Sequence, residues 1–190
     1  MGKNSVKFGG LDVALRSDNT SLFVMKLENG IFEEIGLRIW PHVHPAEIMN
    51  DLIKIQKHEL MFKIGYDRLG TGELVKMFPR ELPMYPVISS QPGKLDIIGL
   101  INALFTSKKL IIHSDDLYKE ILEQEKYVSD AGNVLYRHPS GFHDDRFWSM
   151  GMAVKVASDY LKGMVRVRAG VINPDITEEG IITEDMLNNI

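Results

Sequence analysis

The chain has 190 residues, 44% hydrophobic and 25% charged, the balance of a folded globular chain and not of a disordered one. Its 22 Lys+Arg against 26 Asp+Glu give a formal net charge of −4. The absence of cysteine excludes disulfides, thiolate metal sites and cysteine nucleophiles together.

No apolar run is long enough to span a bilayer, and no charged start, apolar stretch and cleavage site opens the sequence. Met1-Gly2 does not make a myristoylation site, because Val6 stands where that motif wants Ser or Thr. A cytosolic location is expected. The charge is uneven. From Pro174 to Ile190 there are five acids and no Lys or Arg, which leaves 21 acids against 22 bases over residues 1–173. A near-neutral body does not demand a phosphate-bearing partner. The expected organisation is one domain over 1–173 and an acidic tail over 174–190.

In chain order, three strands come first. Lys7–Leu15 nearly alternates after Gly9-Gly10, and Ser21–Leu27 follows a polar loop. Glu28-Asn29-Gly30 reads as a hairpin turn leading into Ile31–Trp40. After Pro41 the period lengthens. Ala46, Met49 and Ile53 mark a helix over Pro45–His58, its face broadened by Ile48, Leu52 and Ile55. Leu60–Tyr66 reads as a strand, Gly70–Phe78 as a helix, Tyr85–Ile88 as a strand, and Pro92-Gly93 as the opening of another helix. Leu110–His113 is a further strand, and Ser114 caps a helix to about Glu123. Lys126–Tyr136 suggests a hairpin, and His143–Lys162 is the longest helix. A hairpin meander followed by strand–helix alternation implies an α/β fold: a mixed sheet with helices on both faces. The RNase H-like fold has this order, with an extra hairpin before its last long helix.

Three acidic positions stand at places where chemistry is often built. Asp12 interrupts the first strand, where Asp fits poorly because its side chain competes for backbone hydrogen bonds. Asp67 ends a strand of the parallel type, where sheet folds place ligands. Asp144-Asp145 opens the last helix. Each has an ordinary account: an edge-strand position for Asp12, and helix caps for the others. Together they can converge on one end of the sheet, where their mutual repulsion calls for a divalent cation. Oxygen ligands without cysteine point to Mg²⁺ or Mn²⁺, and two such ions suit phosphodiester cleavage.

Gly10-Leu11-Asp12-Val13-Ala14, Tyr66-Asp67-Arg68-Leu69-Gly70-Thr71-Gly72 and the run from His143 to Ala153 resemble the three motifs of viral terminase large-subunit nuclease domains. That family consists of DNA-packaging nucleases of tailed viruses. The resemblance covers Phe8 to Lys162 and implies an RNase H-like fold and two Mg²⁺ or Mn²⁺ ions. It implies Asp12, Asp67 and Asp145 as catalytic metal ligands, with Asp144 a fourth or supporting acid, and leaves open which of the last pair is the main ligand. Relatives often carry another Asp where this chain has Trp148. The resemblance further implies cleavage of concatemeric double-stranded DNA in the host cytoplasm, with a packaging ATPase domain or subunit, a portal and a small terminase as partners. The chain contains no Gly-x-x-x-x-Gly-Lys-Ser/Thr phosphate loop, so it reads as the nuclease half, truncated or separately encoded.

Gly70-Thr71-Gly72 is not a dinucleotide loop, since Val75 takes the third glycine's place; its glycines suit close backbone approach to metal or phosphate. His42 and His44 read as loop residues beside Pro45, and His143 as a cap or a neighbour of the acid pair. Met150, Met152 and Val154 read as core. Arg68, Arg146, Lys126 and Arg137 are the candidate DNA-phosphate contacts. The expected activity is a metal-dependent endodeoxyribonuclease. The alternatives are a Holliday-junction resolvase of the same fold and a non-catalytic docking domain of the packaging motor. The segment Pro174–Ile190 has too few apolar residues for a core of its own. Deleting it is expected to leave the melting temperature within a degree or two; a large fall would show that it packs on the body.

Overall fold

The computed structural model describes residues 5–13, 19–87, 90–129, 134–137 and 143–168. The expected tail over 174–190 and the hairpin tip over 130–133 lie outside them.

Three antiparallel strands open the fold: β1 (Val6–Asp12), β2 (Asn19–Glu28) and β3 (Ile31–Pro41). Asn29 and Gly30 both take positive φ, 53° and 73°, as the predicted turn requires. Helix α1 (Pro45–Glu59) leads to β4 (Lys63–Asp67), parallel to β1. Helix α2 (Arg68–Val75) leads to β5 (Met84–Val87), parallel to β4. Helix α3 (Gln91–Thr106) precedes β6 (Leu110–Ile111), parallel to β3. Helix α4 (Asp115–Leu122), the separate hairpin β7 (Glu125–Val128) and β8 (Val134–Arg137), and α5 (Asp145–Arg168) complete it. The six-stranded sheet runs β5-β4-β1-β2-β3-β6. This is the expected mixed sheet with a hairpin ahead of the last helix.

Strand alternation divides the core in two. Phe8, Phe23 and Met25 face one side, packed with Ile97 and Ile101 of α3, Leu117 of α4 and Met150, Met152 and Val154 of α5. Leu11, Leu22, Val24 and Ile64 face the other, where α1 contributes Ile48 and Leu52. Those two residues form the buried stripe of α1, whereas the expected marker Met49 is only partly buried and Ala46 is exposed. Two further expectations need correcting. Asp12 ends β1 and does not interrupt it, so the strand loses no interior bond to its side chain. The strand expected over Leu110–His113 is only two residues long, because the backbone N–H groups of His113 and Ser114 donate to the buried Glu34 carboxylate, at 2.7 and 3.0 Å, not to a strand. No described helix is long and apolar enough to cross a membrane.

Helix α5 lies directly on the backbone of β1 and β4, and glycine makes this possible. A Cβ on Gly10 would sit 1.9 Å from the Ser149 carbonyl oxygen and 2.5 Å from the Ala153 nitrogen. One on Gly65 would sit 2.7 Å from Val156 Cγ2 and 2.8 Å from the Met152 carbonyl oxygen. Gly10 and Gly65 are register partners in the parallel pair, so the two open patches form one seat for the helix. Lys155, bonded to Asp159 at 2.8 Å and Asp96 at 3.2 Å, ties α5 to α3 alongside it. Replacing Gly10 with Ala should cost about 3 kcal/mol or more, because the obstacle is backbone and cannot turn aside. Gly99→Ala in α3, where nothing lies within 4 Å, should instead stabilise by roughly 0.5–1 kcal/mol. Thermal melts of both variants check the pair; a neutral Gly10→Ala would contradict the close seat.

Candidate active site

The seat of α5 fixes where its first turn lands. Gly10 lies under Ser149. Two residues along β1 advance about 6.6 Å to Asp12, and four residues back along α5 retreat about 6 Å to Asp145. The register pairs Leu11 with Tyr66, so one step on sets Asp12 beside Asp67. Asp12 alternates with Gly10 and Asp67 with Gly65, which turns both carboxylates toward α5. The strand ends and the helix start thus bring all four predicted acids to one place.

The charges of the other three acids bear on Asp12. The Asp12 carboxyl is raised from its ordinary 3.8 to about 8, first by burial and then by the charges of Asp145, Asp144 and Asp67, with Lys94 pulling the other way. Part of Asp12 stays open to solvent, but the atoms packed round it make desolvation the leading cause. The N-terminal end of the α5 dipole favours anions here and partly offsets the repulsion.

Each acid has its own support. Asp67 Oδ1 accepts the Leu69 backbone N–H at 2.9 Å, so the capping role runs alongside its place in the cluster. Asp145 is buried, with His143 Nδ1 3.9 Å from its Oδ2. Asp144 is less buried, and its Oδ2 accepts the indole N–H of Trp148 at 2.8 Å. Trp148 thus steadies the Asp144 carboxylate from the first turn of α5. Beside Asp12, Ser21 is its register partner on β2, and the Ser21 and Ser149 hydroxyls lie 2.9 Å apart in full burial. Ser149 donates to the Arg146 carbonyl at 2.9 Å, so Ser21 is the donor to Ser149.

The candidate cations separate. Arg68 is exposed at the start of α2, next to Asp67, and Lys126 is exposed on β7. Arg137 stands opposite Glu125 in the hairpin, and its side chain lies outside the described residues. Arg146 is committed elsewhere: its guanidinium binds Glu120, with Asp116 at 3.9 Å, and the second oxygen of Glu120 accepts the Phe147 N–H at 3.0 Å. That buried carboxylate, its pKa raised chiefly by burial, fastens the first turn of α5 to α4. The set-aside histidines behave as loop and cap: His42 takes φ 49°, and His44 Nδ1 accepts the Ala46 N–H. The glycines at 70 and 72 lie within α2.

Sequence reasoning missed Lys94, Ser21, Ser149 and Glu120. Ser21 is recoverable once β1 and β2 are paired. The others carry no signal outside the tertiary packing.

Among the described residues, no three acids or imidazoles are gathered closely enough to hold a metal ion as they stand. The donor set nonetheless fits one. Its hard oxygens, coupled and partly desolvated, would be drawn together by the charge they lack.

A mixed six-stranded sheet of this order, covered by helices on both faces, defines the RNase H-like class of fold. The chain belongs to the terminase RNase H-like domain family, whose model matches residues 9–156. In structure it is similar to the large terminase nuclease from thermophilic phage G20c, at 16% identity and a TM-score of 0.70, over 80% of this chain and 82% of that one. That nuclease is also known with bound magnesium and with bound cobalt. The HK97 bacteriophage large terminase is similar at 13% identity and a TM-score of 0.67, over 82% of this chain but 40% of that one. A large terminase from another thermophilic bacteriophage, solved in complex with ATP-gamma-S, gives 11% and 0.63, over 79% of this chain and 39% of that one. No curated protein matches the chain in sequence.

The raised Asp12 pKa has a defined sign. The folded chain keeps a proton that the unfolded chain has already released, so stability from this group is full below about pH 4 and is lost as pH rises toward about 8. In EDTA, Asp12→Asn should therefore melt higher than the unaltered protein, by a few degrees at this chain length. The gap should widen from about pH 4 and level off above about 8. A variant that melts lower at pH 8 would show Asp12 to be a structural acid.

Proposed function

We propose that the chain is a divalent-metal-dependent endonuclease that cleaves concatemeric double-stranded DNA during viral genome packaging. The observation that carries this reading is the convergence of Asp12, Asp67 and Asp145 on one end of the sheet, with Asp144 beside them. Asp12, Asp67 and Asp145 are the proposed ligands of two Mg²⁺ or Mn²⁺ ions. The greater burial of Asp145, and the indole bond that occupies Asp144, favour Asp145 as the main ligand of the pair. When bound, such ions supply Lewis-acid activation of a water and stabilisation of the departing 3′ oxygen.

The chain's own residues set up that chemistry. β1 and β4 hold Asp12 and Asp67 side by side, and α5 presents Asp145 across from them. The serine pair and the Glu120–Arg146 tie fix the helix start against the sheet. Arg68 and Lys126 are exposed cations suited to the DNA backbone, giving affinity with little sequence preference and a steep salt dependence. The magnesium and cobalt forms of the G20c nuclease support the metal reading. The greater length of the HK97 large terminase, and of the large terminase seen with ATP-gamma-S, supports a packaging ATPase as partner; a portal and a small terminase in the host cell are the further partners this reading implies.

The test is relaxation and linearisation of supercoiled plasmid at low salt. Manganese should support cleavage at least as well as magnesium, because it tolerates irregular carboxylate geometry. Calcium should support little turnover, and ATP should change nothing. Asp12→Asn and Asp145→Asn should abolish cleavage. Cutting that persists in excess EDTA would overturn the metal-dependent reading. Cutting confined to four-way junctions would assign a resolvase, and a folded, metal-binding chain that cuts neither would assign a docking domain.

A further inference from the structure

We propose that Lys94 holds a non-bridging oxygen of the scissile phosphate at the acid cluster, a role that rests on the nuclease reading above. Lys94 lies on the first turn of α3, its backbone N–H bonded to the Ser90 carbonyl at 2.8 Å. Its side chain is half-buried and crosses to α5, where Nζ stands 4.5 Å from the centre of the Trp148 ring. The same indole donates to Asp144 at 2.8 Å. Trp148 therefore joins a cation on its face to an acid on its edge. That ring contact sets the ammonium beside the acid pair at the start of α5, and its charge also acts on Asp12.

What separates Lys94 from the other cations near α5 is its lack of commitment. Arg146 is taken by Glu120, and Lys155 by Asp96 and Asp159. Among the described residues no carboxylate lies within ion-pair distance of the Lys94 ammonium; an aromatic face holds it. A cation on an aromatic face keeps its charge and its three N–H donors available. Four acids at one sheet end repel a phosphodiester, and a fixed ammonium among them offsets that repulsion where the DNA must approach most closely. A lysine suits the task as a compact point charge for a phosphate oxygen.

The experiment uses Lys94→Met, Lys94→Gln and Lys94→Arg in the full chain. Binding of a short fluorescein-labelled DNA duplex is followed by anisotropy across a salt series, in EDTA and again in calcium, beside plasmid cleavage in manganese and a thermal melt. Met and Gln should lower cleavage at least tenfold and make the slope of log affinity against log salt shallower by about 0.9, the value of one lost phosphate contact. Arg should keep the slope, and all three should melt within a few degrees of the unaltered protein. An unchanged slope in both neutral variants overturns the proposal, even if cleavage falls, since Lys94 would then act only on the acids. A slope that falls equally in Lys94→Arg also overturns it. Should Lys94→Met not fold, Lys94→Gln decides by the same criterion, and should neither fold, Lys94 is a packing residue and the proposal fails. If the unaltered protein cuts no DNA while the slope responds as stated, the nuclease reading fails and the phosphate contact stands.

Discussion

The structure depends on one close contact, the seating of α5 on bare backbone at Gly10 and Gly65. A Cβ at either position would run into the helix, against the Ser149 carbonyl at Gly10 and the Met152 carbonyl and Val156 side chain at Gly65. With both absent, a helix start and two strand ends meet at side-chain distance. The buried serine pair and the Glu120 tie then act on a geometry already set by the seat. The apolar face of α5, from Phe147 through Ala157, supplies the burial that keeps it there.

That contact creates an electrostatic problem. It gathers carboxylates where water is partly excluded, and Asp12 responds by holding a proton well beyond the ordinary carboxylate range. The molecule meets the repulsion partially, with the positive end of α5, the indole N–H on Asp144 and the ammonium of Lys94. A fold that keeps such a cluster has given up some stability there, and a cation bound at the proposed site would return it. On the proposed reading, repulsion at the sheet end and affinity for divalent ions are the same property viewed without and with the ligand.

Much of this was legible in the residues. The Asn29-Gly30 turn, the change of period after Pro41 and the long apolar helix near the end gave the element order, and that order matched one sheet topology. The acids at the end of β4 and the start of α5 stood out because turn and helix boundaries can be read locally. What stayed hidden depends on packing between distant segments. Lys94 is one of many lysines until α3 lies beside α5, and Glu120 is an unremarkable helix residue until Phe147 and Arg146 reach it. Arg146 looked like a DNA contact because it follows Asp145 in the chain, but one residue along a helix turns a side chain about 100°. The face of α1 was read one position off for a similar reason: several apolar residues share that helix, and only the sheet decides which are buried.

The central claim is that Asp12, Asp67 and Asp145 together form a site for divalent cations, and calorimetric titration with manganese near neutral pH tests it most directly. The account predicts saturable binding accompanied by proton release, since Asp12 must give up its proton to become a ligand. Binding should be lost or severely weakened in Asp12→Asn, Asp67→Asn and Asp145→Asn, and retained in Lys126→Ala. Manganese binding of equal strength in all the aspartate variants, or no binding by the unaltered protein, would contradict it.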